Sequence, residues 1–83
     1  MGRASIERPK HLAAKLRQIR ESIGLSQNQL IDRLGLDDRL TQAEISAFEL
    51  AKRVPPLIVL LRYARLGKVH VDDLIDDEIR LDR

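Results

Sequence analysis

The sequence predicts an all-α domain of five short helices, and three observations predict it. Apolar residues recur at intervals of three and four along most of the chain, the period of a helix with one buried face. Two segments, Ser26-Gln27-Asn28-Gln29 and Thr41-Gln42-Ala43-Glu44, have the capping-box pattern that opens helices. Gly24, Gly35, Gly67 and the pair Pro55-Pro56 then divide the chain where helices stop or start. With 83 residues there is room for one domain. A domain of this size buries only about 60 % of its unfolded surface, so a second copy would usefully extend the core.

In the first helix Pro9 suits a first-turn position, Leu12, Leu16, Ile19 and Ile23 form the inward stripe, and Gly24 offers a left-handed stop. Ser26 opens the second helix, which buries Leu30 and Leu34 and ends at Gly35. Only a couple of residues around Leu25 separate the two, so they must cross at an angle. Leu36 to Leu40 has no period. Thr41 opens the third helix, with Ile45 and Phe48 inward and Gln42, Ala43, Ser46 and Ala47 outward. Those outward residues are small or hydrogen-bonding in a chain that is 34 % charged, which marks a docking face rather than an ordinary solvated one. Pro55 disfavours helix in Val54 and Pro56 can begin the fourth helix, which runs to about Leu66 and is apolar on nearly every side, as a central buried element would be. Gly67 ends it. Asp72 and Asp73 sit in the first turn of a short fifth helix, near the positive end of its dipole. The tail after Ile75 alternates Ile79 and Leu81 with polar residues and is compatible with a short strand, a dimer arm or disorder. The organisation is therefore an N-terminal arm at 1–8, a domain at 9–75 and an acidic tail at 76–83.

Charge is divided unevenly. Residues 1–68 carry 13 basic and 7 acidic side chains, residues 69–83 carry 2 and 6, and the whole chain is +2. A basic body suits a polyanion, because each neutralised phosphate releases condensed counterions, and the acidic tail belongs away from that face. The absence of cysteine removes disulfides, thiolate zinc sites and a cysteine nucleophile together. The longest apolar run, Leu57 to Leu61, is far short of the roughly 20 residues that span a bilayer, and a soluble cytoplasmic protein is expected.

Gly24-Leu25-Ser26-Gln27, Leu34-Gly35, Ile45-Ser46-Ala47-Phe48-Glu49, Glu49 through Pro55 and Val69 through Ile75 together resemble, in order and spacing, the phage repressor and Cro-like helix-turn-helix regulators of the xenobiotic response element type. The match covers roughly Leu12 to Ile75 and implies a compact lambda-repressor-like domain whose second and third helices form the helix-turn-helix. By that resemblance the third helix, about Thr41 to Leu50, enters the major groove of double-stranded DNA. Gln42 would pair with adenine N6 and N7, Ala43 and Ala47 would meet thymine methyls or simply permit close approach, and Ser46 would meet a base or a phosphate. Gln27 and Thr41, at helix N-termini, would contact phosphate, Lys52 and Arg53 would clamp the next phosphates, and Arg39 is a further cationic candidate. Thr41 also serves as a plain N-cap. Arg20 and Glu49 match a structural ion pair of the family.

Two departures stand out. The family has six residue steps from the glycine after the second helix to the isoleucine of the third, whereas Gly35 to Ile45 is ten, so the turn is enlarged. Either the second helix grows by a turn, or Asp37 and Asp38 project beside the groove and oppose phosphate. Ala51 replaces a common glycine, so either it takes a strained left-handed backbone or the third helix continues. A rival register, with Thr41 opening the second helix of the motif, fails because Pro56 to Leu66 is too apolar to be a recognition face.

No enzyme is expected, since no base, nucleophile and phosphate loop converge, and no catalytic residue, metal or cofactor is assigned. His70 beside Asp72 and Asp73 reads as a helix start, and His11 as a surface residue. The implied partner is a near-palindromic operator read by a homodimer, with Val71, Leu74, Ile75, Ile79 and Leu81 as interface candidates. The alternative is a protein-interaction module, an antitoxin or adaptor, that binds a protein partner through the acidic, apolar tail.

Overall fold

The computed structural model describes residues 9–81, so the arm assigned to 1–8 and the last two residues of the tail lie outside them. Among the described residues the chain forms α1 (Leu12–Ile23), α2 (Gln27–Leu34), α3 (Gln42–Glu49), α4 (Leu57–Gly67) and α5 (Val71–Ile75), with no strand. α1 packs against α3, α4 and α5, α2 against α3 and α4, and α4 against α5. Leu16, Leu30, Ile45, Phe48, Tyr63 and Leu74 fill the centre.

Local chemistry explains the boundaries. Gly24 and Gly35 take left-handed backbone (φ 82° and 72°), and their N–H groups return to Arg20 and Glu21, and to Asp32 and Ile31, closing the last turns of α1 and α2. Ser26 and Thr41 accept from the N–H of Gln29 and Glu44, whose side chains bond back to the cap N–H, so both boxes are complete. The enlarged turn does not lengthen α2. Leu36 is buried, the N–H groups of Arg39 and Leu40 both donate to its carbonyl at 2.9 Å, and Asp37, Asp38 and Arg39 project from this single coil of chain into solvent. α3 does not continue past Ala51 either. It ends at Glu49, and Ala51 adopts φ 61°.

Three expectations need correction, and one of the alternatives left open for the tail falls away. Pro9 lies ahead of α1 rather than in its first turn, because the N–H groups of Lys10 and His11 are drawn to the Asp77 carboxylate at 2.9 and 3.1 Å. Gly67 does not end α4. It is the last helical residue, and Lys68 supplies the left-handed φ of 58°, while a Cβ at Gly67 would stand 3.0 Å from the Ile19 side chain. Glycine is there for close packing of α4 on α1. α4 is not buried on nearly every side. Val59, Leu60, Tyr63 and Ala64 face the core, but Leu57 is 78 % and Ile58 44 % exposed, since α1, α2 and α5 cover one side of the helix only. The tail through Leu81 is not a strand. Turns and hydrogen bonds hold it against α1, so its backbone has no neighbouring strand to pair with.

Candidate nucleic-acid interface

α3 stands on the surface with Thr41, Gln42 and Ala43 exposed, Ser46 and Ala47 half-buried, and Ile45 and Phe48 turned into the core. The outward ridge carries no charge. Small side chains at 43, 46 and 47 keep it low, so the backbone can approach a partner surface closely, with the amide of Gln42 as its tallest polar group.

That amide is held from below. Gln42 Nε2 donates to Gln27 Oε1 at 3.2 Å, and Gln27 Nε2 donates to Glu49 Oε1 at 3.3 Å. Glu49 in turn accepts from Arg20 Nε at 2.7 Å and Nη2 at 2.9 Å, a bidentate pair whose side chains are 4 % and 15 % exposed. Arg20 Nη1 closes the chain on the Leu25 carbonyl at 2.9 Å. The hydrogen bond from Arg20 to Glu49 is the largest influence raising the Arg20 pKa above its ordinary value. The run Arg20, Glu49, Gln27, Gln42 therefore ties α1, α2 and α3 to the side chain at the head of the ridge, limiting its rotamers. Tyr63 lies close to the ion pair, fully buried. Burial pushes its hydroxyl above the usual range, and that oxygen has no hydrogen-bond partner among the described residues.

Cations flank the ridge at both ends. Arg39 stands on the exposed turn before α3, and Lys52 and Arg53 follow its C-terminus, where their N–H groups bond back to the Ala47 carbonyl at 2.8 and 3.3 Å. Arg53 reaches Glu44 at 3.6 Å, an exposed pair of little energetic weight that leaves the guanidinium free to turn outward. Arg39, Arg53 and Glu44 also share one shallow cavity of about 180 Å³ with Leu36, Leu40 and Ile58. The caps Ser26 and Thr41 are both exposed, while the first helical residues differ, Gln27 being half-buried and Gln42 exposed.

The remaining sequence candidates lie on the far side. Leu74 is fully buried and Leu81 9 % exposed, Val71 and Ile79 are half-buried, and Ile75 is 40 % exposed. Three attachments of this region had no signature in the sequence. Lys15, 5 % exposed, donates its ammonium to the carbonyls of Asp73 and Asp76 at 2.6 and 2.8 Å, neutralising the negative end of α5. Asp77 receives the N–H groups of Lys10 and His11, immediately ahead of α1, and Gln18 donates to the Leu81 carbonyl. The only hint was the opposite charge of body and tail. Arg62, which caps α2 through the Leu34 carbonyl at 2.7 Å, was equally invisible.

Comparison with known proteins agrees with this geometry. A family model described as a helix-turn-helix domain matches residues 11–76. A relative from Methanothermobacter thermautotrophicus, named an uncharacterized HTH-type transcriptional regulator, is 37 % identical over 60 residues, covering 71 % of this chain and 81 % of the relative. No solved structure gives a match. Among the described residues no helix is long and apolar enough to cross a membrane.

Proposed function

Because the chain belongs to the helix-turn-helix domain family, we propose that it binds double-stranded DNA sequence-specifically as a small cytoplasmic transcriptional regulator of the Cro/C1 type. Its effect is repression, by occupancy of an operator. The observation that carries this reading is the uncharged ridge of α3, flanked by Arg39, Lys52 and Arg53 and headed by a glutamine whose amide is oriented by three other side chains.

A helix of this length fits a major groove about 12 Å wide. In that pose Gln42 meets adenine N6 and N7. Gln27 serves as a second amide that fixes which face of Gln42 is donor and which is acceptor. Ala43 and Ala47 contact thymine methyls or permit close approach, and Ser46 bonds a base or a phosphate. Thr41 and Gln27 bring helix N-termini to the backbone, and the three cations neutralise phosphates on either side. With about 0.9 of log salt slope per phosphate neutralised, three cations give a slope near −2.7 per copy and about −5 for two copies on a near-palindrome. Asp37 and Asp38, exposed on the enlarged turn, oppose phosphate and so penalise DNA whose backbone crowds that turn.

The reading as a protein-interaction module drew on the acidic tail. Leu81 is buried against the chain's own core and Asp77 is engaged by the N–H groups of Lys10 and His11, so the apolar end of that tail is already in use, while Asp76, Glu78 and Arg80 remain exposed. Selection of a randomised duplex pool, followed by a salt series on the enriched sequence, tests the proposal. A near-palindrome with half-sites about ten base pairs apart and a slope near −5 is the expected result. Well-folded protein that enriches no sequence refutes it.

A further inference from the structure

The enlarged turn before α3 builds one wall of a cavity beside the recognition ridge. The cavity, of about 180 Å³, lies between that turn, α3 and the start of α4. Its apolar lining includes Leu36, Phe48 and Val59, all buried, with half-buried Leu40 and exposed Ile58 nearer the mouth. Its charged lining is two guanidiniums, those of Arg39 and Arg53, and one carboxylate, that of Glu44. The turn is a preformed wall, because the N–H groups of Arg39 and Leu40 close it on the Leu36 carbonyl at 2.9 Å. An apolar hollow with a few convergent polar groups is the usual form of a small-molecule site.

We propose that this cavity binds a small organic acid, one apolar ring or branched chain bearing one carboxylate, and that its occupant displaces DNA. Size sets the apolar part. An apolar cavity of about 150 Å³ holds benzene, so about 180 Å³ holds a single ring with a small substituent. Charge sets the polar part. Two cations face one anion, and that anion is already engaged, since Glu44 Oε1 accepts from the N–H and the hydroxyl of Thr41 at 3.0 and 3.3 Å. The cations are the available groups. Among the described residues the Arg39 side chain has no hydrogen bond or ion pair, and Arg53 meets Glu44 Oε2 at 3.6 Å with side chains 58 and 31 % exposed, a pair easily exchanged for another. A guanidinium takes a carboxylate through two parallel N–H bonds, which a neutral alcohol or amide cannot match and an amine would oppose.

Binding of the acid stands on the cavity alone, whereas its effect on DNA rests on the DNA-binding reading above. Arg39 and Arg53 are two of the three cations assigned to phosphate, and Glu44 and Phe48 belong to α3 itself. A carboxylate held by either guanidinium removes a phosphate partner and sets a negative charge beside the DNA backbone. Acid and DNA therefore compete, and by linkage each weakens the other by the same factor. The hollow of about 420 Å³ between α1 and the tail is the less suitable site. Its buried ammonium, Lys15, is engaged by the carbonyls of Asp73 and Asp76, and Asp77 by the N–H groups of Lys10 and His11.

The test uses the full chain and three probes: benzoate, benzamide, which has the ring without the charge, and acetate, which has the charge without the ring. Titration followed by NMR should give benzoate a Kd of about 0.1–1 mM, the range a small ligand of ordinary efficiency reaches, with shifts concentrated on the methyls of Leu36, Leu40 and Ile58. Benzamide and acetate should bind at least about tenfold more weakly. Arg39→Gln and Ile58→Trp change exposed side chains, so both should fold, and each should weaken benzoate at least about fivefold, the first by removing a guanidinium and the second by filling the space. On the selected duplex, benzoate at about ten times its Kd should lower wild-type affinity about tenfold relative to the same concentration of acetate, and should change that of Ile58→Trp by less than about twofold. No benzoate binding at about 10 mM, benzamide that equals benzoate, or binding that survives both substitutions overturns the site. Bound benzoate that leaves duplex affinity unchanged overturns the displacement. Failure to enrich any duplex overturns the DNA-binding reading instead, and is distinguishable because the titration of free protein still decides whether the cavity takes the acid.

Discussion

Replacing Glu49 by alanine should damage the fold before it changes which DNA is read. Glu49 is 4 % exposed at its side chain and is the counter-charge of Arg20, whose guanidinium is only 15 % exposed and is bonded to it at 2.7 and 2.9 Å. Removing the carboxylate strands a largely desolvated cation, which typically costs about 3–5 kcal/mol. At roughly 0.05–0.15 kcal/mol per residue a chain of this size has about 4–12 kcal/mol in all, so this one substitution consumes a large share of the stability. For a domain of 60–100 residues each kcal/mol moves Tm by about 4–8 °C, so the expected drop exceeds about 12 °C. Urea unfolding followed by circular dichroism should show a lower midpoint at unchanged slope. The double variant Arg20→Met with Glu49→Leu removes both charges and should recover most of the loss. A cost for Glu49→Ala below about 1 kcal/mol, or a double variant as unstable as the single one, would refute the reasoning that the pair matters because each partner is desolvated.

Ala51 holds φ 61°, a conformation that costs an L-residue about 1 kcal/mol or more and glycine almost nothing, so Ala51→Gly should raise stability despite the extra freedom it gives the unfolded chain. Thermal melts would show it, and a lower Tm would mean that the alanine methyl has packing of greater value. Tyr63→Phe deletes a buried hydroxyl that has no partner among the described residues, and should be neutral or stabilising by up to about 1–3 kcal/mol, read by the same melts. The Lys10 and His11 N–H groups hold the Asp77 carboxyl below its ordinary value of 3.8, so its contribution is complete above that pH and is lost as acidification proceeds through the folded-state value. Asp77→Asn should flatten the fall in stability below pH 4, and an unchanged acid limb would exclude the contact. Arg53→Ala should weaken binding to all duplexes about equally and reduce the salt slope by about 0.9 per bound copy, or about 1.8 for two copies on the near-palindrome, whereas Gln42→Ala should change the preferred base without altering the slope.

Local signals carried most of the helical framework. The two capping boxes and the glycines after α1 and α2 act over three to six residues, and their hydrogen bonds form within the segments that display them. For that reason α1 through α3 were readable along the chain, as was the outward set Gln42, Ala43, Ser46 and Ala47. The resemblance paired Arg20 with Glu49, but the extension of that pair through Gln27 to Gln42 joins residues 15 and 22 positions apart and had no local mark. The same is true of Lys15, a lysine on a helix face that became a buried cap because the end of α5 happens to face it. Gly67 misled for a related reason: a glycine near a helix end reads as a stop, and only the position of Ile19 across the interface shows that it is there for space.

Helix type, the stops of α1 and α2, the starts of α2 and α3, the uncharged face of α3 and the opposition of basic body to acidic tail were thus determined by the sequence alone, because each depends on short-range periodicity, capping or composition. Tertiary structure decided which side of α4 meets solvent, where the tail lies and how Gln42 is held. Those depend on which surfaces of distant helices come to face one another, and burial and long-range hydrogen bonding are set by that arrangement rather than by any one segment.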